Sequence, residues 1–173
     1  LQTEQAILGV VDSGRSAAVA VAAEGHVEAA VGELGNDQAQ AVRRLCSGGD
    51  RVAVMVGPAG SGKSASLAAA RHAWEASGIP VRGVAPSAVA AGVLSEQAGI
   101  PADTLAKFLA DAADRRVKLG RGEVVVCDEA SMVSTRDLAR LVLLAEASDA
   151  KVVLVGDHLQ LGSVDAGGLF RLL

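Results

Sequence analysis

The stretch of sequence that decides the fold is VAVMVGPAGSGKSASLAAA, residues 52–70. Its first five residues are apolar and mostly β-branched, which is typical of a buried strand, and its alanine-rich end is typical of a helix. Between them, Gly57 to Ser64 match the pattern G-x-x-x-x-G-K-[ST] at every position. Glycines let backbone N–H groups curl around an anion, and the following helix N-terminus adds partial positive charge. The stretch therefore predicts a phosphate-binding loop, or P-loop, between a strand and a helix.

The P-loop pattern assigns roles to particular side chains. Lys63 is expected to reach the β- and γ-phosphates of a nucleotide, and the Ser64 hydroxyl is expected to ligate Mg²⁺. ATP with Mg²⁺ is therefore the predicted ligand, and the expected contacts are Gly57, Pro58, Ala59, Gly60, Ser61, Gly62, Lys63, Ser64 and Ser66. The alternative is a glycine-rich turn that matches by chance, which the flanking strand and helix disfavour.

A second polar motif ends the apolar run VVVC at residues 124–127. Asp128 is suited to hold Mg²⁺ through water, and Glu129 is placed to act as the general base that polarises the attacking water. The alternative is an exposed acidic pair at a strand end, which is common. Because a P-loop follows a separate strand upstream, we expect Asp128 and Glu129 to have these catalytic roles.

A third polar motif follows the run VVLVG at residues 152–156. Asp157 ends the run and Gln160 follows in the loop, where an amide could distinguish ATP from ADP through a hydrogen bond to the γ-phosphate. Spacing alone favours the alternative, a polar turn after a strand. His158 is interpreted as a solvated side chain without a metal role.

Strand-like and helix-like segments alternate along most of the chain. The predicted strands are 51–56, 81–85, 123–127 and 151–155, with helices predicted from residue 36 and over 63–77, 87–97 and 135–147, and Thr3 and Thr104 as helix caps. This alternation predicts an α/β fold in which helices cover both faces of a parallel sheet. Ligands of such sheets bind beyond the carboxyl ends of the strands, where all three polar motifs fall.

Composition excludes some classes of function. The 173 residues are 50% hydrophobic but only 2% aromatic, with a net charge of −4, so any nucleic-acid contact needs a local patch. Arg115, Arg116, Lys118 and Arg121 form one basic cluster, for which a solvated loop is favoured over a phosphate site. Cys46 and Cys127 lack metal-site spacing and are interpreted as reduced thiols of a cytoplasmic protein. No segment predicts a membrane span.

The order of the motifs resembles one family. Gln38 precedes GPAGSGKS at 57–64, and VAPSAVAA at 84–91, VVVCDEASMV at 124–133 and VLVGDHLQLGSV at 153–164 follow. From about Leu34 to Leu173 the chain resembles the first RecA-like domain of superfamily-1 DNA helicases. The resemblance is to the RecD-like branch and to the helicase part of conjugative relaxases of the TraI/TrwC type.

That resemblance implies further roles. Gln38 would contact the adenine, Gln160 would sense the γ-phosphate, and single-stranded DNA would be a partner, with candidate contacts at Pro86, Ser87 and Thr104. Val89 stands where the family usually has a basic residue, and Gly162 where it usually has proline. Two alternatives stay open: a P-loop switch or assembly ATPase that never binds DNA, and a degenerate docking module.

The resemblance also implies an organisation. We expect an N-terminal helical or linker segment at 1–33 and a RecA-like ATPase domain at 34–173, truncated after the fourth core strand. The family's second RecA-like domain supplies an arginine finger, so this chain is expected to bind ATP or ADP but to hydrolyse slowly and unwind nothing. The P-loop strand should then be an exposed edge, covered by residues 17–23 or by another copy of the chain.

Overall fold

The central sheet is parallel throughout. The computed structural model describes residues 2–58 and 60–157. Within that range the strands are β1 (Val52–Val56), β2 (Val81–Ala85), β3 (Ala102–Thr104), β4 (Val124–Cys127) and β5 (Lys151–Gly156). They lie in the order β1-β5-β4-β2-β3, and each pair of neighbours is parallel. The predicted α/β class with a parallel sheet is confirmed.

Helices connect the strands. The described ones are α1 (Gln2–Ser13), α2 (Glu24–Val31), α3 (Asn36–Ser47), α4 (Lys63–Ala76), α5 (Ala88–Ala98), α6 (Leu105–Ala113) and α7 (Thr135–Ser148), with a 3₁₀ turn at Ala130–Met132. The helices form two layers, because the buried strand residues alternate between two hydrophobic clusters. Val125 and Cys127 pack with α1, α6 and α7, whereas Val124 and Val126 pack with α2, α3, α4 and α5.

The central strands are apolar because both of their faces are covered. Every residue of β4 and of β5 is buried, including Lys151 at the start of β5. The helix that follows the P-loop is held by Trp74, which is fully buried and whose Nε1 donates to the Ala20 carbonyl at 3.2 Å. The P-loop helix is therefore fixed against one face of the sheet.

Some local expectations were wrong. Thr3 lies within α1 and does not cap it, and Gly35 precedes α3 as its N-cap. Strand β3 was not predicted, because three residues carry no periodicity. Thr104 does cap α6, accepting from the Lys107 backbone N–H at 3.2 Å.

The P-loop strand lies at one side of the sheet. Within the described residues, β1 pairs only with β5. The Val19 and Ala22 N–H groups donate to the carbonyls of Gly49 and Cys46 at 3.1 and 2.8 Å. Residues 17–23 thus lie beside the end of α3 and form no strand next to β1, so the first of the two expected covers is wrong.

Two smaller expectations concern the state of the cysteines and membrane-spanning segments. Cys46 and Cys127 are buried free thiols. None of the helices in the described part of the chain is long and apolar enough to cross a membrane.

Candidate nucleotide-binding site

The loop after β1 has the conformation that its glycines predict. Gly60 and Gly62 have φ of +77° and +80°, a left-handed backbone that residues with a Cβ rarely adopt. Gly62 precedes the first residue of α4, so the N–H groups at the start of that helix are directed at the loop. A Cβ at Gly62 would also lie 1.9 Å from Nε2 of Gln38. Both glycines are therefore required by the shape of the loop.

Lys63 is folded back onto the loop. Its Nζ donates to the Gly57 carbonyl and, at 3.2 Å, to the Pro58 carbonyl. These carbonyls satisfy an ammonium group that is only partly exposed. Phosphate oxygens carry more negative charge than carbonyls do, so a nucleotide would compete well for the same protons.

Asp128 and Glu129 follow β4 at its carboxyl end. The Oδ1 atom of Asp128 accepts from the Glu129 N–H at 2.8 Å. Glu129 has φ 49° and ψ 39°, a left-handed conformation that is uncommon for a glutamate. This turn exposes the Glu129 side chain while Asp128 stays half-buried. Burial raises the pKa of Asp128, opposed by the Glu129 N–H and by the charge of Lys63.

The two motifs meet in one cavity of about 540 Å³ at the carboxyl edge of the sheet. Its lining includes the P-loop residues Gly60, Gly62, Lys63, Ser64 and Ala65, and it also includes Gln97, Asp128, Glu129, Ser131, Gly156 and Asp157. The cavity thus brings an ammonium, two serine hydroxyls and three carboxylates together. This convergence follows from the strand order, because β1, β5 and β4 are adjacent and end at the same edge.

Gln38 lies on the other side of the P-loop. A second groove of about 290 Å³ is lined by α3 and loop residues, among them Gln38, Gly57, Pro58, Ser61, Lys63 and Ser66. The Oε1 of Gln38 accepts from the Gly35 N–H at 3.3 Å, and its Nε2 lies 3.5 Å from the carbonyls of Ser61 and Gly62. Gln38 therefore joins the N-terminal end of α3 to the P-loop.

The candidate DNA contacts lie at the same edge but outside the cavity lining. Pro86 and Ser87 are exposed just after β2, and Thr104 ends β3. The Ser87 hydroxyl accepts from the Ala90 N–H at 3.1 Å and so caps α5. Val89 beside it is 79% exposed, so the segment that resembles the DNA motif presents an apolar side chain to solvent.

The basic cluster lies at the opposite edge of the sheet, between α6 and the start of β4. Arg116 pairs with Asp114 at 3.3 Å, and Arg121 pairs with Asp149 at 3.1 Å. These carboxylates neutralise part of the cluster. The favoured interpretation, a solvated loop, agrees with this position and pairing.

Three residues of the lining, Ala65, Gln97 and Ser131, were not among the sequence-based expectations. Ser131 is buried in the 3₁₀ turn, directly after the acidic pair. Gln97, at the end of α5, accepts a hydrogen bond from the Ser64 hydroxyl at 2.8 Å. Its place in the sequence indicated only a polar helix end. Two predicted site residues, Ala59 and Gln160, lie outside the described residues.

The donors in the cavity fit Mg²⁺. Ser64 and Asp128 offer a hydroxyl and a carboxylate, the hard oxygen ligands that Mg²⁺ takes together with waters and phosphate oxygens. In residues 2–58 and 60–157 no group of three or more His, Cys, Asp or Glu side chains is arranged to hold a metal ion.

The family model described as an AAA domain matches residues 33–173. The chain belongs to the AAA domain family. Three relatives support the resemblance on which the motif assignment rests. This AAA domain is 40% identical over 140 residues, 81% of its length, to a probable conjugal transfer protein TraA of Sinorhizobium fredii, of which it covers 13%.

The other two relatives are similar over comparable shares of the chain. Identity is 33% over 151 residues to the multifunctional conjugation protein TraI of Escherichia coli, covering 81% of the AAA domain and 8% of the relative. Identity is 34% over 139 residues to the ATP-dependent RecD2 DNA helicase of Deinococcus radiodurans, covering 78% and 19%. The chain thus spans less than a fifth of the length of these relatives, and its resemblance to a first RecA-like domain of the RecD and TraI type is confirmed.

Proposed function

We propose that this AAA domain is the ATP-binding and ATP-hydrolysing motor domain of a DNA helicase that acts in conjugative DNA transfer or DNA repair. The observation that carries the proposal is the single cavity shared by Lys63, Ser64, Asp128 and Glu129. The RecD2 relative is named as an ATP-dependent DNA helicase, which supports DNA as the substrate. The TraA and TraI relatives are named as conjugation proteins, which supports a role in conjugative transfer.

In this proposal the P-loop holds the triphosphate. Backbone N–H groups around Gly60 and Gly62 surround the phosphate oxygens, and Lys63 leaves the loop carbonyls to contact the β- and γ-phosphates. Ser64 and Asp128 hold Mg²⁺, which neutralises charge that develops on the phosphates. Glu129 accepts a proton from the attacking water, for which its exposed side chain beside Asp128 is suited.

The other site residues keep finer roles in the proposal. Gln38 contacts the adenine from the groove on its side of the loop, and Gln160 senses the γ-phosphate. Pro86, Ser87 and Thr104 contact single-stranded DNA. We further propose that residues 1–33 form an N-terminal helical or linker segment and that the ATPase domain proper begins at about residue 34. A cytoplasmic location is also part of the proposal, and the two free thiols support it.

Thermal unfolding with and without MgATP tests the nucleotide site. A ligand that binds only the folded state at about a hundred times its dissociation constant stabilises it by about 2.7 kcal/mol. We expect this gain for the unsubstituted chain and its loss in Lys63→Ala. Lys118→Ala, which removes an exposed lysine outside the cavity lining, is the matched control and should keep the gain. An equal shift in both variants would contradict the proposal.

A second function is favoured by one observation, the exposed Val89 in the segment that resembles the DNA motif. Without a cation there, the domain would act as a nucleotide-dependent switch that does not bind DNA. Titration of a fluorescent single-stranded oligonucleotide at several salt concentrations separates the two functions, because phosphate contacts make the affinity fall as salt rises. Saturable, salt-dependent binding supports the helicase motor, and its absence supports the switch.

A further inference from the structure

The end of α5 contacts a side chain that is central to the proposed metal site. The Ser64 Oγ donates to Oε1 of Gln97 at 2.8 Å, and both residues line the 540 Å³ cavity. Ser64 is the second residue of α4, whereas Gln97 is the last but one of α5. The contact therefore joins the P-loop helix to a helix that carries none of the predicted nucleotide contacts.

The contact has a fixed geometry because α4 and α5 are tied together beside it. The Arg71 Nε of α4 donates to the Ala98 carbonyl at 3.1 Å, next to Gln97 in the chain. Leu94 and Ala98 of α5 are each 2% exposed, so this end of the helix is anchored in the core. Gln97 itself is exposed, and its amide reaches the cavity from a rigid support.

The direction of the hydrogen bond determines whether the lone pairs of the Ser64 hydroxyl are available to a metal ion. A serine hydroxyl has one proton to donate and two lone pairs to share. A cation is repelled by the proton and attracted by the lone pairs. Because Oε1 of Gln97 takes the proton, both lone pairs of Ser64 stay available to a metal ion in the cavity. Asp128 is engaged differently, since its Oδ1 accepts the Glu129 N–H at 2.8 Å.

We propose that Gln97 is a positioning residue that orients the Ser64 hydroxyl for Mg²⁺ through the acceptor oxygen of its side chain. The inference rests on the proposed function, because it takes the nucleotide–Mg²⁺ site as given. Acceptors that hold a metal ligand in orientation typically affect metal affinity by about 10–100-fold. Water can partly replace an exposed acceptor, so the effect of Gln97 lies at the lower end of that range.

A titration of Mg²⁺ against a fluorescent ADP analogue, N-methylanthraniloyl-ADP, tests the proposal without requiring hydrolysis. Gln97→Met keeps the length of the side chain and removes the acceptor, whereas Gln97→Glu keeps an acceptor oxygen. Gln5→Met is the matched control, because Gln5 is an exposed glutamine of α1, a helix outside the cavity lining. The fluorescence of the single tryptophan, Trp74, checks that each variant is folded.

The expected result is a Mg²⁺ half-saturation about tenfold higher in Gln97→Met, with ADP affinity in EDTA unchanged. Gln97→Glu and Gln5→Met should show no increase. An unchanged Mg²⁺ half-saturation in Gln97→Met would overturn the proposed role of Gln97. An equal increase in Gln97→Met and Gln97→Glu would also overturn it, because it would show that side-chain packing and not the acceptor oxygen is responsible. If the unsubstituted chain bound no ADP analogue at any Mg²⁺ concentration, the proposed function would be overturned together with this inference.

Discussion

Lys151 is a fully buried lysine that no ligand-binding role explains. Its Nζ donates to the carbonyls of Leu45 and Gly48 at 2.9 and 2.6 Å, at the C-terminal end of α3. These carbonyls are among those that a helix leaves without intrahelical partners. The side chain thus ties α3, whose first turn carries Gln38, to the start of β5. Burial lowers the pKa of Lys151 to about 8, opposed by the charge of the Asp50 carboxylate.

The lowered pKa predicts a pH-dependent stability. Above pH 8 the folded chain releases the Lys151 proton, whereas the unfolded chain keeps it until about pH 10.5. The folded state therefore gains relative to the unfolded state as the pH rises. From pH 8 to 9 we expect Lys151 to contribute an increase of about 1 kcal/mol to the free energy of unfolding, measured with urea and Trp74 fluorescence.

Lys151→Met should remove this increase, since methionine does not titrate. The exposed Lys118→Met is the control and should keep it. Burial raises the pKa of both Cys46 and Cys127 to about 12, so the unfolded thiols, which ionise around pH 9, lower stability over the same interval. Because every variant shares this loss, the Lys151 contribution is the difference between the unsubstituted chain and Lys151→Met. A stability that decreases from pH 8 to 9 in the unsubstituted chain but not in Lys151→Met would contradict the assignment.

At the scale of elements, two of the proposed DNA contacts are also helix caps. The hydroxyls of Ser87 and Thr104 accept from the third N–H of α5 and of α6, at 3.1 and 3.2 Å. Accepting uses a lone pair and leaves the hydroxyl proton available to a phosphate oxygen. Both helices begin where β2 and β3 end, so capping and ligand contact share one edge of the sheet.

Substitutions at Ser87 can separate the two roles. Ser87→Ala removes both and should lower the free energy of unfolding by about 1 kcal/mol. Ser87→Asp keeps a good cap but places a negative charge near the phosphates, so stability should stay close to that of the unsubstituted chain. Its affinity for single-stranded DNA should fall about fivefold, which corresponds to about 1 kcal/mol.

Ser134→Asp provides the matched control for charge. Ser134 caps α7, accepting from the Asp137 N–H at 3.2 Å, and α7 begins after the 3₁₀ turn that follows β4. The same change of net charge there should leave DNA affinity within about twofold. Equal losses of affinity in both aspartate variants would show that net charge alone is responsible and would remove Ser87 from the proposed DNA contacts.

At the scale of the whole molecule, the cavity has one kind of cation. Lys63 lines it, and no arginine is among the described residues that do so. An arginine finger is worth about 10³–10⁵ in turnover in related reactions. We therefore expect the 173-residue chain to bind MgATP but to release phosphate slowly, and to separate no DNA strands, in assays of phosphate release and of duplex unwinding. Strand separation by this chain alone would refute the expectation.

Among the described residues β1 has a neighbouring strand on one side only, and this predicts a concentration-dependent contact on its other side. A groove of about 510 Å³ runs along it, lined by residues of α1, α3 and β1 that include Val11, Arg44, Val52 and Val54. Unpaired backbone groups at such an edge can pair with another strand. We propose that a second copy of the chain covers it, and sedimentation velocity should show association as concentration rises. Val56→Lys, which charges the exposed end of β1, should reduce association, and a monomer at all concentrations would contradict the proposal.

The sequence-based predictions agree best with the structure where all the residues that determine a feature lie in one short segment. The P-loop is one such segment, because the left-handed Gly60 and Gly62 lie between β1 and α4, which follow each other directly in the chain. The meeting of Lys63 with Asp128 could also be predicted, since parallel strands place their carboxyl ends at one edge. Strand β3, by contrast, exists only because Gly83, Val84 and Ala85 of β2 offer it partners.

The roles of Gln97 and Lys151 lay beyond prediction for a different reason. Each is a polar residue at the end of an element, where exposure is the usual expectation. Their partners are distant in sequence: Gln97 is 33 positions from Ser64, and Lys151 is 106 positions from Leu45. Nothing local distinguishes such a residue from one that points into water.

The sequence by itself determined the α/β class, the P-loop and the acidic strand end, because period, glycine positions and motif order are properties of neighbouring residues. Only the tertiary structure decided that Gln97 holds the Ser64 hydroxyl, that Lys151 caps α3 from within the core, and that residues 17–23 leave the side of β1 unpaired. Those contacts depend on how the helices pack against the sheet. The free energy of packing arises between surfaces whose residues are distant in sequence, so no single segment of the chain determines it.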